Sequence, residues 1–225
     1  GMLFVGNGYP FEQMGGMQSF APTFLINFHK VADEKDYLAY IARLQKLGTA
    51  FDQALERARA SSVQGIRPPK FALEGVIDQS SKIIAGAPFD ASKDSALWAD
   101  AQAKADALAK DGKLTAERAT ALKAEARKAL VENVKPAYQR IIAFAREELP
   151  KAGVNPSGVG STHSNGAAYY THQLKVNTST GMTADEIHQL GLSEVARLRG
   201  ELEAVQKTMG VEGDLPAFFK HVQSD

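Results

Sequence analysis

Apolar positions spaced three and four apart recur through most of the 225 residues, and the best-specified run lies near the C-terminal end. Ala184, His188, Gly191, Val195, Leu198, Leu202, Val205 and Met209 share one seam of a helix, with Arg197, Glu201, Glu203 and Gln206 on its other faces. Thr183 and Glu186 have the spacing of a capping box, in which each side chain takes up a free backbone N–H at the helix start. Met182 and Ile187 stand where a hydrophobic staple would put them, and Asp185 and Glu186 lie at the positive end of the helix dipole. Lys207 falls in the last turn, and Gly210 offers a left-handed stop. A seam over a helix of roughly 40 Å needs another long helix to bury it, and residues 115–149 are the candidate.

The preceding chain reads as a series of helices. Residues 1–30 are rich in Gly, Phe and Met without a clean period, so an irregular lead-in is expected, with a short helix near 23–29 and Tyr9, Phe11, Phe20, Phe24 and Phe28 packing on later helices. Asp33 caps a helix carrying Tyr37, Ile41 and Leu44. Gly48 is expected to end it, and Thr49 to cap a second helix that runs to about Gln64, giving a two-helix hairpin. Pro68 and Pro69 suit the opening of a third helix, where a missing N–H costs nothing, with Leu73, Val76, Ile77, Ser80, Ile83 and Ile84 on its buried face. After Gly86-Ala87-Pro88-Phe89, a cap within 92–94 starts an alanine-rich helix to Lys110, and Asp111-Gly112 turns the chain. Thr115 opens a long helix to about Leu149, whose inward face is small at first (Ala119, Leu122, Ala126) and larger later (Tyr138, Ile141, Phe144 or Ala145). Pro136 inside it removes a backbone hydrogen bond and clashes with the preceding turn, which predicts a kink near 131–135.

Pro150, Gly153 and Pro156 end that region, and the pattern then changes. Residues 158–162 and 167–177 are β-compatible, with His163-Ser164-Asn165-Gly166 between them, and Asn-Gly between such runs predicts a β-hairpin over 158–180. Asp214 caps a last short helix with Leu215, Phe218, Phe219 and Val222. The expected fold is mainly α: an antiparallel helical bundle with long helices and one small β-hairpin. It is read as a single helical domain, 1–225, with an irregular lead-in at 1–30, a helical bundle at 31–149, the hairpin at 158–180 and helices at 183–223.

Composition narrows the chemistry. Lys plus Arg and Asp plus Glu both number 26, and no basic run is interleaved with aromatics, so the electrostatic footprint of a nucleic-acid binder is missing. The absence of cysteine excludes disulfides, thiolate zinc sites and a cysteine nucleophile. No apolar run approaches the roughly 20 residues of a membrane-spanning helix. The start, Gly1-Met2-Leu3, lacks the basic region of a secretory signal, and a glycine ahead of the first methionine resembles an expression scar, so native sequence is expected upstream.

A metallopeptidase helix needs two histidines a turn apart with a glutamate between them. His29, His163, His172, His188 and His221 form no such pair; His188 is expected to be a satisfied core imidazole, and His163 and His172 to flank the hairpin turn. Gly-x-Ser-x-Gly, a dinucleotide fingerprint and a phosphate loop are likewise missing, and Glu147 with Glu148 reads as a solvated pair. The remaining candidate is the hairpin, where Gly166, Tyr169 and Tyr170 would form an edge strand whose free N–H and C=O groups pair with an extended peptide.

One set of motifs carries a resemblance. Gly166-x-x-Tyr169-Tyr170, Thr178-Ser179-Thr180, Thr183-x-x-Glu186-Ile187-His188-x-Leu190-Gly191-Leu192-x-Glu194-Val195 and Gly213-x-Leu215 resemble the bacterial family called domain of unknown function 885. Tyr37-x-x-Tyr40, Gly65-Ile66-Arg67-Pro68-Pro69 and Val134-x-Pro136-Ala137-Tyr138 agree with it. The resemblance implies a longer, helical, zinc-peptidase-like parent whose His-Glu metal helix lies beyond Asp225. This chain would then be an inactive N-terminal fragment with no catalytic residue, metal or cofactor of its own, zinc belonging to the parent. Gly166, Tyr169 and Tyr170 would border the peptide substrate's cleft. The expected partner is the parent's C-terminal half or, failing that, a second copy in a homodimer joined around residues 195–209 or Phe218 and Phe219. The parent's location is open, with export to the periplasm among the options. The alternative is a helical protein-interaction module that never had an active site.

Overall fold

The computed structural model describes residues 4–154 and 158–224, apart from the side chain of Val5. Gly1, Met2, Leu3, Pro156 and Asp225, which entered the reading above, lie outside the described residues. The chain divides into two compact units, 1–166 and 167–225.

The first unit is built on one helix. After α1 (Met17–Thr23), which runs on into a π-helical turn, Asp33 accepts from the N–H of Asp36 and opens α2 (Glu34–Val63), 30 residues without a break. Tyr37, Tyr40, Ile41, Leu44, Phe51, Ala54, Leu55 and Ala58 recur at helical spacing on its buried face. Three helical segments pack against this face. They are α4 (Ala96–Lys110), α5 (Ala116–Ala129) and α6 (Lys135–Glu148), while α3 (Lys70–Ile83) lies along α6. Burial drives this packing, and the polar tips it carries inside are matched. Tyr37 donates to the carbonyl of Ala101 at 2.8 Å and Tyr138 to that of Gln18 at 2.7 Å. The Phe51 ring meets Tyr138 edge-on at 5.2 Å and Phe11 of the lead-in at 6.2 Å. Phe11 is thus buried as expected, whereas Phe20 and Phe28 are exposed.

The expected two-helix hairpin over 34–64 is corrected: Gly48 and Thr49 lie inside α2. A β-carbon on Gly48 would sit 3.9 Å from Ala137 Cβ and 3.4 Å from an Arg140 nitrogen, ordinary contact distances, so the helix runs through this position without requiring glycine there. Asp52, one turn on, pairs with Arg140 at 2.7 Å. The helix after the 86–95 loop is capped by Ser95, just beyond the expected 92–94. The kink expected before Pro136 takes the form of a π-turn at Leu130–Val134 between α5 and α6, where the missing proline N–H is absorbed by a change of helix type.

No strand forms over 158–180, and the β-hairpin is overturned. Residues there form α7 (Val159–Thr162) and α8 (Gly166–Thr178). Thr171 and Thr178 return their hydroxyls to the carbonyls four residues back, a helical use of residues that look β-compatible. Gly166 has no positive φ; a β-carbon there would lie 1.8 Å from the Val159 carbonyl oxygen, so glycine is required by backbone contact and not by a hairpin turn.

The second unit comprises the rest of α8, then α9 (Ala184–Thr208) and α10 (Leu215–Ser224). Both halves of the Thr183–Glu186 capping box are formed, and Gly210 is left-handed at φ 68°. Gln206 is buried and donates to the carbonyls of Val211 and Gly213, which closes the turn into α10, and Phe218 is buried. The seam of α9 is largely uncovered: Leu202 is half-buried, but Val195 is 66% exposed, Leu198 48%, Val205 49% and Met209 52%. His188 is exposed too, so the core imidazole expected there is corrected.

Two glycines inside helices predict opposite outcomes. Gly48→Ala adds a methyl at ordinary contact distance and improves helix propensity, so it should raise stability by about 0.5–1 kcal/mol. Gly75→Ala would place its Cβ 2.7 Å from Gln13 Cβ and should cost roughly 1–3 kcal/mol. Urea denaturation midpoints of the two variants check both signs.

Candidate functional site

The polar centre of the first unit grows from the end of α2. Ser61 and Ser62 close the helix, Gly65 turns the chain at φ 79°, and Arg67 is folded back so that its Nη2 donates to the Ser62 carbonyl at 2.8 Å. Pro68 and Pro69 then present a rigid wall and start α3 without needing N–H partners. Glu148, at the end of α6, is 3% exposed and accepts from Ser62 Oγ, from Arg67 Nε at 3.2 Å and from Lys151 Nζ at 2.8 Å. Burial alone would raise its pKa, but the hydrogen bonds from Lys151, Ser62 and Arg67 outweigh it and hold the carboxyl below its ordinary range. Glu147 faces solvent and pairs with Arg59 at 2.7 Å. Glu147 and Glu148 are therefore not the solvated pair expected. Ile141, Ala145 and Glu148 share a helix face at four-three spacing, and that periodicity was the available signal.

Beside this cluster lies a cavity of about 450 Å³, walled by Tyr9, Arg67, Pro68, Phe71, Lys151 and Val159. Its walls are mostly apolar, and its two cations are already committed to Glu148. Tyr9 OH lies 2.5 Å from His163 Nε2, with the rings edge to face. His163 is buried, and burial pushes its pKa down against the opposing influence of the Arg67 backbone, which favours the charged imidazole without meeting hydrogen-bond geometry at Nδ1. Asn7 and Asn165 exchange side-chain amide hydrogen bonds at 2.7 and 3.2 Å. The residues read as a hairpin turn thus fasten the lead-in to the first unit, a role with no sequence signal because both partners are more than 150 positions away.

A family profile described as "Bacterial protein of unknown function (DUF885)" matches residues 4–225. The chain belongs to the DUF885 family. The fold is similar to that in the crystal structure of a candidate lipoprotein from Colwellia psychrerythraea, with a TM-score of 0.78 and 24% identity over 92% of this chain. That alignment covers 34% of the other protein, so this chain spans about a third of its length. No curated protein matches the sequence.

Within this DUF885 chain the proposed substrate strand is corrected. Gly166, Tyr169 and Tyr170 are helical, so their N–H and C=O groups face along the helix and are not offered to an extended peptide. Gly166 is buried against Val159, Tyr169 is half-buried, and Tyr170 is 45% exposed. His172 lies with Lys175 and Met182 along a shallow concavity of the second unit. Among the described residues no three His, Cys, Asp or Glu side chains are grouped to hold a metal ion, and no helix is long and apolar enough to cross a membrane.

Glu148 gives the site a testable pH dependence. Its pKa is lowered on folding, so its stabilisation is complete above the ordinary value of 4.5 and is lost as pH falls through the folded value. Glu148→Gln should cost roughly 2–4 kcal/mol at pH 7, because Arg67 loses its buried partner. The variant should also lose less stability than the unsubstituted chain between pH 5 and the acid limit, as followed by denaturation at a series of pH values.

Proposed function

We propose that this chain is the N-terminal, substrate-cleft-forming helical part of a longer metallopeptidase-like protein, whose zinc and catalytic groups come from sequence beyond residue 225. The observation that carries the reading is the uncovered apolar seam of α9. A capped helix with Val195, Leu198, Val205 and Met209 about half exposed is made to be packed against, and apolar surface of this kind marks an interface. The solved relative has about twice as much further chain as this one covers, enough to supply the cover. In this reading both units belong to the N-terminal part of the parent, and the metal-binding chemistry, which rests on the family resemblance, lies outside it. Tyr169 and Tyr170 would meet a peptide through their side chains, since the backbone of α8 is occupied. The lipoprotein name of the relative agrees with an exported parent.

The test is to prepare residues 1–225 beside the longer parent protein. Zinc and peptide cleavage should appear with the parent and be absent from 1–225. Amide exchange over residues 190–209 should slow by about tenfold or more in the parent. A parent without zinc or cleavage activity, or with α9 exchanging equally in both, would turn the reading to the alternative, a helical interaction module.

A further inference from the structure

The seam of α9 is specific enough to say what kind of surface it fits. His188, Gly191, Val195, Leu198, Leu202, Val205 and Met209 alternate strictly three and four apart, which is a heptad pattern with Val195, Leu202 and Met209 at a and Leu198 and Val205 at d. A solitary amphipathic helix in a globular unit has a broader stripe of period 3.6; a strict a and d repeat is the narrower seam of a coiled coil. Val195 at a with Leu198 at d is the combination that favours two strands, whereas Leu202 at a with Val205 at d reverses it, so the choice of two strands rests on the Val195–Leu198 layer. Gly191 and His188 give little to the seam at its N-terminal end, so the contact is concentrated over residues 192–209.

The flanks carry the direction. Glu194 and Glu201 occupy g positions along one edge, and Arg199 occupies e on the other. In a parallel, in-register pair, g faces the following e of the neighbouring strand, which sets Glu194 against Arg199 of the partner subunit, twice by symmetry. An antiparallel pair would instead set the glutamate edges against each other. Glu194, Arg197 and Glu201, and Arg199 with Glu203, are linked along α9 itself, but those pairs are solvent-exposed and leave the flank charges free to serve both.

We propose that residues 1–225 on their own associate as a parallel two-stranded coiled coil, with α9 of one copy in register against α9 of a second. This rests on the preceding reading in one respect: the seam is the face that further sequence of the parent covers, so the longer protein does not pair through it. With about two strong heptads, the association is weak and reversible, with a dissociation constant on the order of 10 µM.

Sedimentation equilibrium of residues 1–225 from about 1 to 200 µM, spanning that constant, should give a monomer–dimer equilibrium. Leu198→Glu should raise the dissociation constant by about 100-fold or more with helix content by circular dichroism unchanged. Glu194→Arg should weaken pairing by about tenfold, and Glu194→Arg combined with Arg199→Glu should restore most of it, because the g and e charges are again opposite. The chain has no cysteine, so Leu198→Cys, facing its own copy at d, should oxidise to a disulfide-linked dimer, whereas Glu203→Cys at the outer b position should not. A monomer throughout, a dimer indifferent to Leu198→Glu, or no cross-link at 198 would each overturn the proposal. If residues 1–225 stay monomeric while the parent shields α9, only this inference falls. If the parent also pairs through α9, the preceding reading falls, and with it the statement that the longer protein does not pair, while the pairing of α9 in residues 1–225 stands.

Discussion

The first unit depends on keeping α2 continuous. A 30-residue helix can organise α4, α5 and α6 around one face only if nothing interrupts it, and each large side chain on that face must find both volume and hydrogen-bond partners. The three buried tyrosines Tyr37, Tyr40 and Tyr138 show how tightly this is met. Burial pushes all three phenols far above their ordinary range, so each stays a neutral donor, and backbone carbonyls of Ala101 and Gln18 accept from Tyr37 and Tyr138. The carbonyl of Gln18 belongs to α1, so the same rule that satisfies a core hydroxyl also fixes the lead-in.

What the sequence made legible was local. The caps at Asp33, Thr115, Thr183 and Asp214 act over three residues, and each was found where the spacing put it. Pro136 acts on the turn before it, and the π-turn lies there. Three misreadings share the opposite cause. Gly48 looks like a stop because glycine often is one, yet α2 runs on through it because the face from Tyr37 to Ala58 is buried against α5 and α6. Asn165-Gly166 looks like a hairpin turn because the pair tolerates positive φ, yet the glycine answers to the Val159 carbonyl, and the asparagine to Asn7. Glu148 looks solvated beside Glu147, yet Ser62 and Arg67 reach it from the far end of α2. In each case the local meaning of a residue type gave way to packing with distant parts of the chain.

The site shows the same division. The Arg67-Pro68-Pro69 segment is conspicuous in the sequence, but it reads as a helix opening until Glu148 is in place. A buried carboxylate held by Ser62, Arg67 and Lys151 joins the end of α2 to the end of α6, which is a structural task, and the neighbouring cavity takes its shape from that joint. Tyr9, bonded to His163, walls the cavity from the lead-in side.

Unit two inverts the logic of unit one. There, helices are held by what they bury. In α9, the capping box contributes about 1 kcal/mol, and three exposed ion pairs within the helix add a few tenths each, while Val195, Leu198, Val205 and Met209 bury little. A helix supported from within its own sequence can form without tertiary cover and keep its seam presented. That explains why the most readable helix in the chain is also the least covered: local signals are strongest where tertiary burial does not do the holding. It also separates stability from association, since replacing Leu198 with a charge removes a contact surface and no part of the core that folds the chain.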